Sequence, residues 1–246
     1  MKKIRLDQLL TERGIAESRE KAKRLILSGQ IIVEHCAAPK PGQMLAPDHP
    51  VQLKKTERFV SRGGEKLEGA LNEFPIQLAG KICLDIGSST GGFTDCMLQR
   101  GAKKVYAVDV GKGLLHWKLR ENPRVIVMEG INARYLTAGD IAEPADFASI
   151  DTSFISLTNI LPAVKELLSS GGEIVSLIKP QFEAGKTEAD RGHGVITNPA
   201  VHETVIEKIR RFGTEELNLH WLGVTVSPIK GPKGNIEFLA WWKKEL

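Results

Sequence analysis

"LDIGSSTGGFT", residues 84–94, passes from an apolar run through a glycine-rich turn into a helical pattern that closes at "QRG". A turn of this kind after the first strand is where an open, doubly wound sheet holds its ligand. The chain around it follows the same plan. "KICLDIG", "KKVYAVDVG", "RVIVMEG", "DFASIDTSF" and "EIVSLIKPQF" read as strands, interleaved with helical stretches such as "SLTNILPAVKELLSSGG", where Ile160, Leu161, Val164, Leu167 and Leu168 keep helical spacing. Apolar strands alternating with helices predict an α/β fold, its mostly parallel sheet covered on both faces. "HWLGVTVSPI" and "NIEFLAWW" are joined by a short Gly/Pro loop, so the last strand must run antiparallel to its neighbour.

The glycines narrow the ligand. Gly87, Gly91 and Gly92 do not fit G-x-G-x-x-G, whose middle glycine lets the backbone approach a pyrophosphate. That argues against a dinucleotide and for a nucleoside ligand without a pyrophosphate. Asp109 ends the second strand, where a carboxylate can accept hydrogen bonds from both hydroxyls of a ribose. Asp85, Gly87, Ser88, Ser89, Thr90, Gly91, Gly92 and Phe93 on the turn, with Asp109 and Val110, form the expected ligand set. Strand–Asp-x-Gly–helix, Asp109 and the antiparallel last strand together resemble the class I (Rossmann-like) methyltransferases. That resemblance implies S-adenosyl-L-methionine as cofactor, and it adds Asn132, past the third strand, as an adenine contact.

The 246 residues suffice for one large domain, or a large and a small one, of ordinary globular composition. Cys36, Cys83 and Cys96 match no disulfide framework or metal pair, which suits a reducing, cytoplasmic setting, and no metal site is expected. "MKKIRLDQLLTERG" has basic residues but no apolar core of a leader, and no run is long and apolar enough to span a membrane. Net charge is +4, unevenly placed: residues 1–60 hold 12 Lys/Arg against 7 Asp/Glu, residues 61–246 hold 22 against 23. A basic N-terminal module on a near-neutral body points to a polyanion partner.

That module reads as two small helices followed by short strands. Leu6, Leu9 and Leu10 make one helical stripe, and Ser18 caps "SREKAKRLILSG", whose Ala22, Leu25 and Ile26 face inward. "QIIV" and "VQL" flank the Pro-rich "PKPGQMLAPDHP" as strands around a turn. "RLDQLLTERGIAESREKAKRLILSGQIIV" resembles the S4 RNA-binding domain, a small α+β module, departing from it at Glu34-His35-Cys36. The expected RNA contacts are Arg5, Arg19, Lys23 and Arg24, with Arg62 further on; such groups meet phosphates and supply affinity and register. The expected layout is an S4-like unit over 1–56, a connector over 57–63 and the α/β domain over 64–246.

The end of the fourth strand separates possible chemistries. "DTSF", 151–154, only faintly imitates the Asn/Asp-Pro-Pro-Tyr/Phe motif of amine methylation, and no cysteine stands at a strand end for carbon methylation. A ribose 2′-hydroxyl needs its proton taken up or held in line with the incoming methyl group. A lysine does so only as the neutral amine, which a second lysine and partial desolvation favour and which carboxylates orient. Lys66 before the first strand, Asp151 ending the fourth, Lys179 ending the fifth and Glu237 opening the last all map to the ligand-facing sheet edge. This Lys-Asp-Lys-Glu order resembles the FtsJ-type ribose 2′-O-methyltransferases.

"RFVSRGGEKL", "CLDIGSSTGGFTDCMLQRGA", "DTSFISLTNILPAV", "IKPQFEAGK" and "SPIKGPKGNIEFLAW", in that order behind an S4-like head, are similar to the TlyA family, often labelled hemolysin A. The resemblance implies 2′-O-methylation of cytidine in ribosomal RNA of the large subunit, and in some members of the small one. Ribosomal RNA or ribosomal subunits are then the partners. Two other readings are a non-catalytic RNA-binding assembly factor and a cytolysin, as the hemolysin label suggests.

Overall fold

Ser18 accepts the backbone N–H of Lys21 at 3.2 Å and so starts a helix that buries Ala22 and Ile26. The computed structural model describes residues 3–54, 58–185 and 194–245, and the chain divides into two units, residues 1–57 and 58–246. The first unit runs β1 (Ile4–Arg5), α1 (Leu6–Glu12), α2 (Arg19–Leu27), β2 (Ile31–Val33), β3 (Met44–Leu45) and β4 (Val51–Leu53). Leu6, Leu9 and Leu10 of α1 meet Ala22 and Ile26 of α2 over Ile31, Val33 and Val51. β2 pairs antiparallel with β4, as two strands around a turn should. The β1–β3 pair was not foreseen; two residues are too few to show a period of two.

In the second unit α3 (Gly63–Glu73) precedes β5 (Ile82–Ile86), α4 (Gly92–Gln99), β6 (Lys104–Asp109), α5 (Trp117–Arg120), β7 (Val125–Glu129), β8 (Ala145–Ile150), α6 (Leu161–Leu167), β9 (Leu168–Ile178) and α7 (Pro180–Glu183). The helix Pro199–Arg211 and strands β10 (Leu219–Val226) and β11 (Phe238–Lys244) complete it. The seven strands lie in the order β10-β11-β9-β8-β5-β6-β7. β5 through β9 run parallel to one another, whereas β11 is antiparallel to both β9 and β10. The sheet is therefore mostly parallel, with the antiparallel last strand expected from the short Gly/Pro loop.

Two large apolar clusters lie against this sheet, one including Ile160, Leu161 and Val164 with Trp242, the other Leu67, Ala70, Cys96 and Met97. Cys83 and Cys96 are buried and burial pushes both thiols up to about 12, in keeping with small core hydrophobes. The helix expected over 156–172 stops at Leu167: Leu168 already pairs with Ala145, and Ser169, Ser170, Gly171 and Gly172 are poor helix formers. α3 was not anticipated. The supposed connector also does more than tether: Phe59 is buried against that helix, and the Val60 N–H donates to Asp95 at 2.9 Å. Gly64 permits this, since a Cβ there would lie 2.3 Å from the Phe59 ring. Among the described residues no helix is long and apolar enough to cross a membrane, and no group of three His, Cys, Asp or Glu side chains is placed to hold a metal.

Candidate active site

The glycine turn is fixed from both sides. The N–H groups of Gly87 and Ser88 donate to the Val108 carbonyl at 2.9 and 3.0 Å, binding the turn to β6. Gly87 has φ +83°, and a Cβ there would sit 2.5 Å from the Asp151 carbonyl oxygen. Gly91 has φ +96°, and its Cβ would meet Leu119 at 2.2 Å. The backbone of β5 thus passes close to that of β8, where any side chain would force them apart.

Three cavities open along this edge, of about 380, 380 and 600 Å³, and Gly87, Ser89 and Asp151 line all three. The first also holds Asp109, Val110, Leu114, Ile131 and Asn132. Asp109 accepts the N–H of Ser89 at 2.8 Å on one oxygen and that of Gly111 at 2.7 Å on the other, and a second lone pair on each stays available. Asn132 reaches the cavity but spends its side-chain oxygen on the Arg134 N–H at 3.1 Å, capping the short helical turn that follows. Leu114 is set by Glu129, which accepts from the N–H groups of Gly113, Leu114 and Leu115; the Arg120 guanidinium beside it, with these donors, pulls its carboxyl down to about 2.

The second cavity takes in Ser88, Thr90, Gly92 and Phe93 with Ser61, Arg62 and Lys66. The Ser88 hydroxyl is buried with no partner among the described residues. Asp85 and Gly91, expected to touch the ligand, line none of the three cavities. Asp85 is fully buried instead, accepting from Thr94 at 2.5 Å and Ser149 at 3.1 Å. Burial raises its carboxyl to about 7. It holds the head of α4 to the sheet, and Gly91 serves the turn.

The four residues expected to carry the chemistry form two ion pairs. Lys66 Nζ lies 2.6 Å from Glu237 Oε2, and Lys179 Nζ lies 2.5 Å from Asp151 Oδ1. All four line the largest of these three cavities, and both lysines and Glu237 are buried. Two residues missed in the sequence complete the set: Ser153 accepts from Lys179 at 3.0 Å, and Gln181 donates to Glu237 at 3.2 Å. Both stand in the motifs "DTSF" and "IKPQFE", where their polarity and their place beside Asp151 and Lys179 were the available signal. Phe154 is 90 % exposed, adopts φ +63° and packs against Phe182, 5.1 Å between ring centres.

Of the basic residues expected on RNA, Arg5 and Arg19 share the buried carboxylate of Asp7, at 2.9 and 3.4 Å. The Arg5 hydrogen bond holds that carboxyl below its usual range. Lys23 pairs with Glu20 at 2.8 Å, Arg24 is exposed, and Arg62 stands at the second cavity of the other unit.

Residues 59–244 match the FtsJ-like methyltransferase family, and residues 4–49 match the S4 domain. The chain belongs to the FtsJ-like methyltransferase family. Around that FtsJ-like unit the similarity extends to full-length relatives. YqxC of Bacillus subtilis, whose name proposes an rRNA methyltransferase, is 50 % identical over 97 % of this chain and 85 % of its own length. The 16S/23S rRNA (cytidine-2′-O)-methyltransferase TlyA of Mycobacterium tuberculosis is 43 % identical over 99 % of this chain and 91 % of its own. A solved structure from Streptococcus thermophilus that carries a hemolysin name is 45 % identical, with a TM-score of 0.75, covering 100 % of this chain and 90 % of that one. The chain is therefore an S4-headed, FtsJ-like member of the TlyA group.

Proposed function

We propose that this protein transfers a methyl group from S-adenosylmethionine to the ribose 2′-oxygen of a cytidine in ribosomal RNA of the large subunit, acting in the cytoplasm on RNA or ribosomal subunits. The observation that carries the reading is the pairing of Lys66 with Glu237 and Lys179 with Asp151 around one cavity beside the glycine turn. The names of its relatives point the same way.

The cavity beside β6 suits the nucleoside part of the cofactor: apolar walls from Val110, Leu114 and Ile131, Asp109 oxygens toward a ribose, and backbone at Gly87 with no side chain in the way. The Ser88 hydroxyl nearby, buried and without a partner among the described residues, can donate to an acceptor on the ligand. When bound, S-adenosylmethionine supplies an electrophilic methyl group on a sulfonium. Lys179, held by Asp151 and Ser153, is the group placed to receive the 2′-hydroxyl proton. Lys66 and Glu237, held by Gln181, close the other side of the cavity and keep the ribose in line. The exposed Phe154 ring gives an unstacked base an apolar surface. The S4 unit adds sequence-independent contacts to phosphates through its basic helix.

Incubation of the purified protein with tritiated S-adenosylmethionine and large-subunit ribosomal RNA, followed by mapping of 2′-O-methyl positions, tests the reading. One methylated cytidine is expected. RNA that is bound but carries no 2′-O-methyl label would favour the non-catalytic assembly factor and reject it.

A further inference from the structure

Gln181 Nε2 donates to Glu237 Oε1 at 3.2 Å, and the side chain lines the cavity of about 600 Å³. A carboxylate only accepts, so this contact forces the amide to turn its NH₂ end toward Glu237 and its oxygen away. That oxygen is buried and has no donor among the described residues. The other buried polar groups of the cavity are served: Lys179 meets Asp151 and Ser153, Lys66 meets Glu237, and Asn235 Oδ1 takes the Ile196 N–H at 3.0 Å. A buried acceptor left without a donor is costly, and the cost is recovered when a ligand brings one.

We propose that Gln181 Oε1 accepts the exocyclic 4-amine of the target cytosine and makes the enzyme select cytidine over uridine. The inference rests on the reading above. Cytosine presents an N–H₂ donor at position 4, whereas uracil presents a carbonyl oxygen, which would meet the amide oxygen lone pair to lone pair. An unrestrained glutamine could turn over and donate to uracil. Here Glu237 holds the donor end, so the oxygen is the group on offer. Gln181 is itself only partly buried, and the terminal torsion of glutamine is soft, so a small rotation brings the oxygen to a base in the cavity.

The test is a cycle between side chain and substrate. The probes are ligated large-subunit RNAs whose target cytidine, located by the mapping above, is kept, replaced by uridine, or replaced by the pyrimidin-2-one riboside that lacks the amine. Each is assayed with wild type and Gln181→Met. Wild type should lose about tenfold or more in kcat/KM on removal of the amine. Gln181→Met should lose a similar factor on cytidine, show no further loss on the pyrimidinone, and narrow the cytidine-to-uridine ratio. Cofactor binding and thermal unfolding near wild type show that the variant is folded. Wild type indifferent to the amine, losses that multiply, or a variant slowed equally on all three RNAs would overturn the assignment, the last because Gln181 would then act on the hydroxyl or on Glu237. If wild type transfers no methyl to the cytidine RNA, the proposed function fails first and this inference falls with it.

Discussion

Lys66 Nζ and Glu237 Oε2 lie 2.6 Å apart across 171 positions of sequence, both buried. Removing one member leaves the other's charge buried and unpaired, which costs about 3–5 kcal/mol. Glu237→Leu and Lys66→Met are therefore each expected to lower the unfolding free energy by about 3 kcal/mol, and the two together to recover most of that loss. Denaturant unfolding of the single and double variants measures it. Strictly additive losses would mean that the pair does not act as a unit.

Lys179 is the proposed proton acceptor, and a positioned base contributes about 10²–10⁴ in rate. Lys179→Ala should cost at least a hundredfold in methyl transfer, with cofactor binding by calorimetry near wild type. Ser153→Ala, which removes one contact to Nζ, should cost far less. Turnover by Lys179→Ala near the wild-type rate would move the base elsewhere.

The buried Asp85 makes stability depend on pH with a definite sign. Its folded value of about 7 lies above the ordinary aspartate value, so between about pH 4 and 7 the folded state holds a proton that the unfolded chain has released. Stability is then expected to fall as pH rises through this window, by at most roughly 4 kcal/mol. Asp85→Asn should flatten that slope in urea titrations between pH 5 and 7.5. Equal slopes in the two proteins would show that Thr94 and Ser149 alone keep the carboxylate ionised.

In the S4 unit, Arg24→Glu should weaken RNA binding across sequences and lower the slope of log K against log salt by about 1 or more. Asp7→Ala acts differently: it removes the anchor that Arg5 and Arg19 share, so it should lower both stability and affinity. Filter binding over a salt series separates the two. An unchanged slope in Arg24→Glu would place the phosphate contacts on other residues.

Much of this architecture was legible because strands buried on both faces leave long apolar runs, and because the Gly/Pro loop between β10 and β11 leaves no room for a crossover. Asp151, Lys179 and Glu237 were legible through their place at strand ends, and Lys66 only through its motif "SRGGEKL", since it sits on α3. Their partition into two ion pairs was not, since nothing in the spacing says which carboxylate meets which lysine. Asp85 shows the opposite case: it stands on β5 just before the turn, where a ligand contact is expected, but its side chain is buried, with Thr94 of α4 and Ser149 of β8 donating to it. α3 escaped notice because two glycines at its start resemble a linker, although Gly64 is there to seat Phe59.

The antiparallel course of β11 has an effect on timing. Glu237, the partner of Lys66, lies just before that strand and is translated long after the glycine turn, so during synthesis the cavity at first lacks one of its two carboxylates. Until Glu237 is in place the Lys66 side chain has no counter-charge there, and the ion pairs of the cavity are incomplete.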